Sequence, residues 1–118
     1  MAKQQEYGKY GEELAVQHLM ALGYTLLQRN WRYGHLEVDI IARDGDVLLF
    51  IEVKSRSTTA FGHPADFVDL QKQRFLLEAA DAYLAASLFD GEIRFDIVSV
   101  YLDSKLIEHI KDAFWSDF

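Results

Sequence analysis

Two short triplets, Glu37-Val38-Asp39 and Glu52-Val53-Lys54, hold the residues whose types and spacing could do chemistry. Each lies in an otherwise apolar run, and residues two apart on a β-strand share a face. If the two runs pair, three carboxylates and one ammonium converge. Like charges facing one another destabilise a sheet, and buried carboxylates without partners cost more still. A hard divalent cation resolves the conflict, because magnesium sites commonly use one or two carboxylates together with waters and a substrate phosphate. Asp39 and Glu52 are then the metal ligands, with the backbone carbonyl of Val53 as a third. Such a set suits phosphodiester hydrolysis, with Lys54 orienting the nucleophile or stabilising the transition state. Glu37 fits as a supporting acceptor.

The pairing itself is legible. Leu36 to Arg43 and Asp46 to Arg56 alternate with period two on either side of Asp44-Gly45, a strong hairpin signal. With Asp44-Gly45 as a two-residue loop, Arg43 opposes Asp46, Glu37 opposes Glu52, Asp39 opposes Phe50 and His35 opposes Lys54. Glu37, Asp39, Glu52 and Lys54 then project from one side, and Leu36, Val38, Ile40, Val47, Leu49, Ile51 and Val53 form an apolar wall on the other. A solvated charged face is the ordinary explanation for any one of these acids. Their convergence favours a site.

Other elements must position this hairpin. Gly11, Ala15, Leu19 and Leu22 fall on one helical stripe within Glu6 to Leu22, with Gly23 as the stop, and Glu12 lies at the edge of that stripe. Glu12 is therefore an inward-looking acid that could hold a metal or a water. Tyr24 to Arg29 reads as a first strand, followed by Asn30-Trp31-Arg32-Tyr33-Gly34 as a connection in which Trp31 packs rather than stacks on a base. Ser57 to Pro64 reads as a loop. A second helix spans Ala65 to Ser87, with Lys72 leaning towards the body of the protein. Arg94 to Leu102 alternates as a strand, and Leu106 to Ile110 reads as a short edge strand. The order α, β, β, β, α, β, β fits an α/β sandwich around a mixed sheet.

At 118 residues without cysteine, the chain suits one domain, and disulfides and thiolate metal sites are excluded. His18, His35, His63 and His109 show no close metal-ligand spacing. No apolar run approaches the ~20 residues of a membrane helix, and no signal region opens the chain, so no membrane partner and a cytoplasmic location are expected. The net charge of −7 argues against strong non-specific attraction to nucleic acid. Its distribution softens that objection. Residues 1–74 carry 10 acids and 9 bases, and residues 75–118 carry 9 acids and 3 bases. Arg32, Arg56 and Arg74, all in the first part, are the residues expected to touch nucleic acid.

Several stretches, in order, carry a family resemblance: Gly8-x-x-Gly11-Glu12-x-x-Ala15, Asn30-Trp31-Arg32, Glu37 to Ala42, Phe50 to Arg56, Phe61-Gly62-x-Pro64, Lys72 and Arg94-Phe95-Asp96. The chain resembles the YraN-like family of small bacterial proteins, which looks like a member of the restriction-endonuclease-like PD-(D/E)xK fold and is similar to archaeal Holliday junction resolvases. The resemblance covers nearly the whole chain. It implies a three-layer sandwich, a mixed central β-sheet flanked by helices, forming a single nuclease-like domain over residues 1–118. It further implies that Glu12, Asp39, Glu52 and Lys54 are the catalytic positions, Lys72 an accessory, and magnesium the cofactor, with manganese as a substitute. Val38 stands where the motif's name has proline, and Leu36 where a glycine is expected.

The reading that follows is a metal-dependent endonuclease for DNA, branched or otherwise structured, working as a homodimer where a junction is cut symmetrically. A non-catalytic module binding nucleic acid or protein on the same fold is the alternative. A purely structural hairpin with solvated acids is the third.

Overall fold

In the computed structural model the backbone is described for residues 2–56 and 69–114, and side chains from residue 8 onward. Helix α1 (Ala2–Ala21) is followed by strands β1 (Thr25–Tyr33), β2 (Leu36–Asp44) and β3 (Val47–Arg56), then helix α2 (Leu70–Ser87) and strands β4 (Ile93–Tyr101) and β5 (Leu106–Phe114). The strands form one sheet in sequence order. β3 and β4 are parallel and the other neighbours antiparallel. A parallel pair needs a long crossover, and α2 supplies it. One helix covers each face, giving the three-layer α/β sandwich with a mixed central sheet that the family resemblance implies. Among the described residues no helix is long and apolar enough to cross a membrane.

The central strands are buried on both faces. Leu49, Ile51, Val98 and Val100 pack with Ala15, Val16 and Leu19 of α1. Leu48, Phe50, Phe95 and Ile97 pack with Leu76, Ala79 and Ala80 of α2. The expected single apolar wall is therefore divided, because both faces of the hairpin meet a helix. Within β2 the division falls at a particular place. Leu36 and Val38 join Ile41 under α2, whereas Ile40 and Ala42 lie under α1. Alternation is interrupted between Val38 and Ile40, at Asp39. Glu37, flanked by Leu36 and Val38, consequently turns to the α1 side, whereas Glu52 and Lys54 follow Leu48 and Phe50 to the α2 side. The four charged groups do not share one face.

The hairpin register also differs from expectation. Asp44 opposes Val47, Ile41 opposes Phe50 and Ile40 opposes Ile51. The loop is Gly45-Asp46, with Gly45 at φ 61° in its first position. Glycine at the first central position is the requirement of a type II′ turn, and Asp44 is left free to stay in the strand. Carried one step further, this register brings Asp39 level with Glu52. The β1–β2 turn follows the same rule, with Gly34 at φ 60° and Tyr33 opposing Leu36. Asn30 to Tyr33 thus belong to β1 rather than to a connection, and His35 sits in a turn rather than opposite Lys54. β5 is likewise longer than the expected edge strand.

α1 ends as Gly23 demands. Gly23 at φ 90° lets its amide donate to the Met20 carbonyl at 2.9 Å and the Tyr24 amide donate to the Leu19 carbonyl at 3.1 Å, the two bonds of a Schellman cap. Leu22 is exposed rather than part of the buried stripe. α2 begins at Leu70, where the Asp69 side chain caps it by accepting from the Lys72 amide at 2.8 Å. The expected loop from Ser57 to Pro64 and helix start at Ala65 lie outside the described residues.

Gly11 lets α1 lie close to β3. A Cβ added there would fall on the Ser55 hydroxyl and within 2.9 Å of Ser55 Cβ, whereas one added at Gly8 meets nothing within 4 Å. Alanine exceeds glycine in helix propensity by about 1 kcal/mol, so packing and propensity oppose each other at Gly11 alone. Gly8→Ala is expected to stabilise by up to about 1 kcal/mol, and Gly11→Ala to destabilise by about 1–3 kcal/mol. Urea unfolding checks both, and Ser55→Ala should recover part of the Gly11→Ala loss.

Candidate functional site

Asp39 and Glu52 come together within β2 and β3, one step beyond the last paired residues, Ile40 and Ile51. Asp39 Oδ2 accepts from the Val53 amide at 2.8 Å, which fixes its carboxyl over the neighbouring strand. A hydrogen bond joins it to Glu52. The Glu52 side chain is only 15% exposed and meets Lys72 Nζ at 3.7 Å across the gap to α2. Burial pushes Glu52 up to about 8, and the negative charge and hydrogen bond of Asp39 add to the rise, while Lys72 and Lys54 pull the other way. Glu52 therefore keeps its proton near neutral pH.

The buried Glu52 carboxyl against Asp39 is the fit test for a cation. Glu52 is buried against a second carboxyl, and a divalent ion could take the place of its proton. Among the described residues no three acids or histidines are grouped to hold a metal ion. Two carboxylates completed by water and substrate oxygens suit magnesium, which rarely relies on an all-protein cage. Asp39 and Glu52 would hold it. Val53 lines the same cleft, with its amide committed to Asp39.

The cleft opens beside the pair on the α1 side, with a volume of ≈ 590 Å³, lined by Gly8, Lys9, Glu12, Asn30, Asp39, Val53 and Ser55. Glu12 therefore reaches the site but stays outside the carboxyl pair, because two groups from β1 engage it. Arg29 Nε and Asn30 Nδ2 each donate to Glu12 Oε1 at 3.1 Å. Arg29 also binds Glu13 at 3.1 Å, clasping the exposed side of the helix. Asn30 holds φ 51°, a left-handed conformation that asparagine tolerates better than most residues. Arg29 opposes Ile40 and Trp31 opposes Val38, so Asn30 lies beside Asp39 at the point where β2 loses its alternation.

The remaining candidates are dispersed. Glu37 pairs with Arg32 at 3.6 Å across the β1–β2 hairpin instead of supporting the acids. Arg56 ends β3 opposite Tyr101, and Arg74 is exposed on α2. Sequence reasoning missed Arg29 and Asn30 as clamps on Glu12; the neighbouring Asn-Trp-Arg stretch held the signal, obscured by asparagine's association with turns.

It also missed a buried network under the C-terminal half of α1. Asp96 is 1% exposed and accepts from Arg94 Nε at 2.8 Å and Nη2 at 2.9 Å, and from the Asp112 amide at 3.0 Å. His109 Nε2 lies 2.8 Å from its other oxygen, and His109 Nδ1 lies 3.1 Å from His18 Nε2. Burial alone would raise Asp96, but His109, Arg94 and the Asp112 amide outweigh it and hold the carboxyl at about 2. Burial, with His109 and Lys111, lowers His18.

The elevated Glu52 has a measurable cost. Its folded pKa lies above the ordinary 4.5, so the folded state holds a proton that the unfolded chain releases between pH 4.5 and about 8. Wild-type stability therefore falls through that window as pH rises, relative to a variant that cannot ionise there. In the absence of divalent ions Glu52→Gln should be more stable than wild type by about 2–4 kcal/mol at pH 8, with the difference shrinking towards pH 5. Urea unfolding at the two pH values measures it, and a pH-independent difference would contradict the raised Glu52 pKa.

Residues 11–100 match the family described as "Uncharacterised protein family UPF0102". The UPF0102 protein of Flavobacterium psychrophilum is 44% identical over 117 residues, covering 98% of both chains. That of Chlorobium chlorochromatii is 45% identical over 93% of this chain and 92% of its own, and that of Bacteroides thetaiotaomicron 44% identical over 98% and 97%. With the match running from the Gly11-Glu12 turn of α1 through the Asp39–Glu52 pair to the end of β4, this chain belongs to the UPF0102 family, also called the YraN family.

Proposed function

We propose that the chain is a magnesium-dependent endonuclease that hydrolyses DNA phosphodiester bonds, on branched or otherwise structured substrates. The observation that carries this reading is the buried Asp39–Glu52 pair, hydrogen-bonded to each other, with the Val53 amide fixing Asp39 and Lys72 3.7 Å from Glu52. Structural carboxylates are ordinarily satisfied by cations and amides, as Asp96 is, and a carboxyl held protonated near neutral pH marks a site prepared for another ligand. The resemblance to PD-(D/E)xK nucleases supports the same assignment.

Asp39 and Glu52 would hold magnesium, or manganese in its place. When bound, such an ion supplies positive charge to the phosphate and acidifies a water. Lys54 holds its ammonium two residues from Glu52 on the same strand face, where it orients the attacking water and offsets charge on the phosphate. Lys72 neutralises Glu52 from the first turn of α2, an end of the helix that itself favours anions. Glu12, clamped by Arg29 and Asn30, positions a water at the rim. Arg32, Arg56 and Arg74 bind the DNA backbone outside the cleft, and a homodimer provides two sites for a symmetric junction in the cytoplasm.

The acidic second part of the chain, with 9 acids against 3 bases, favours one other reading, a module that binds nucleic acid or protein without cutting. Incubation with duplex, single-stranded, flap and four-way-junction DNA, in magnesium, manganese or chelator, separates the two. Metal-dependent cleavage is expected on at least one substrate, falling about 100-fold or more in Asp39→Ala, Glu52→Ala and Lys54→Ala. Magnesium should also raise the melting temperature of wild type but not of Asp39→Ala. Salt-dependent binding without turnover on any substrate would favour the binding module.

A further inference from the structure

β1 ends in an aromatic column on the α2 side of the sheet. Tyr83 of α2 stands edge-on to the buried Phe50, with centroids 5.9 Å apart. Trp31 packs on Tyr83 at 5.3 Å, and Tyr33 stacks on Trp31 at 6.4 Å with the two planes within 7°. The column begins in the core and ends in the open. Tyr33 is 60% exposed, one of the largest apolar exposures among the described residues, although it lies beside a turn where a small polar residue would cost nothing. Trp31 is the packing residue that the sequence suggests, and Tyr33 is the surface it supports.

Position relates this surface to the candidate cleavage site. Tyr33 opposes Leu36, three residues before Asp39. At ~3.3 Å per residue that is about 10 Å, roughly three nucleotides at the ~3.4 Å per nucleotide of a stacked strand. The column, Glu52, Lys54 and Lys72 lie on the same side of the sheet. Arg32, between Trp31 and Tyr33 in sequence, turns to the opposite face, where it meets Glu37 at 3.6 Å. A flat ring held rigidly from behind, on the side of the sheet that carries the Lys54 and Lys72 ammonium groups, matches a nucleobase with its phosphate better than an apolar peptide.

We propose that Tyr33, backed by Trp31, is a stacking platform for an unpaired nucleobase of the substrate strand, a few nucleotides from the phosphate held at Asp39 and Glu52. The proposal rests on the nuclease reading of that site and narrows its substrate class. A base inside a duplex has both faces covered, so the platform selects strands with an unpaired nucleotide next to the cleavage point, such as a single strand, a flap or a frayed branch. Stacking is tolerant of base identity, so the selection is by structure and not by sequence.

Binding is measured with calcium replacing magnesium, using a short fluorescein-labelled single strand, a blunt duplex of the same sequence, and a single strand carrying 2-aminopurine. Tyr33→Ala should weaken the single strand about 10-fold and abolish the quenching of 2-aminopurine, while Tyr33→Phe stays within about twofold of wild type, as does Tyr33→Ala on the duplex. No single-strand binding by wild type, an unchanged affinity in Tyr33→Ala, or an equal loss on the duplex would overturn the proposal. So would a change of oligomeric state in Tyr33→Ala, which would make the patch a contact between copies. Because calcium binding is read without turnover, a failure to cleave any DNA removes the nuclease reading alone, and a failure of these variants to discriminate removes the platform alone.

Discussion

Two carboxyl groups held against each other on two neighbouring strands are the constraint on which the rest of this structure depends. A hydrogen bond keeps Asp39 and Glu52 together, but only on a rigid support. The support is built from both sides. β2 and β3 are covered by a helix on each face, the Val53 amide fixes Asp39, and Lys72 approaches Glu52 from α2. The small Gly11 brings α1 close enough for Glu12 to reach the cleft. The interruption of alternation at Asp39, matched by left-handed Asn30 on β1, lets one residue face a cleft that its regular neighbours would close.

Two buried acids in this chain meet opposite fates, and the contrast is informative. Asp96 receives a guanidinium through two bonds, an imidazole and an amide, and is held ionised far below the ordinary range. Glu52 meets a carboxyl and a lysine 3.7 Å away, and is held protonated near neutrality. The first arrangement ties β4 and β5 to the C-terminal half of α1 and leaves little for a ligand to add. The second leaves acceptor capacity unspent. Chemistry is expected at the acid the fold leaves unsatisfied.

Much of this was legible in the sequence, and the failures have identifiable causes. Alternation around Asp44-Gly45 gave the β2–β3 hairpin and the neighbourhood of Asp39 and Glu52. The turn itself was misassigned because Asp-Gly-Asp satisfies two turn types, with glycine second in one and first in the other. The slip moved every opposed pair by two residues, which left faces unchanged but hid that Asp39 lies level with Glu52 and not diagonal to it. Asn30 disguised the second half of β1, since asparagine signals a turn and here supplies a left-handed residue within a strand. The division of Leu36 and Val38 from Ile40 was beyond any periodic reading, because it is a break in the period. The Asp96 network joins residues up to 91 apart in sequence, and no local pattern announces it.

The parallel pairing of β3 with β4 has a consequence for the order in which the molecule assembles. The antiparallel pairs β1–β2, β2–β3 and β4–β5 close over short turns, whereas Leu48 must find Ile93 across all of α2 and the segment before it. Loop-closure entropy makes that search the slow step. Until it succeeds, Asp39 and Glu52 are neighbours on a wet hairpin, and Glu52 is free to ionise at little cost. Desolvation arrives only when α2 and β4 dock, so the electrostatic penalty falls after the transition from hairpin to sandwich has begun to bury its compensating core. The chain therefore meets the desolvation cost of its least favourable contact last.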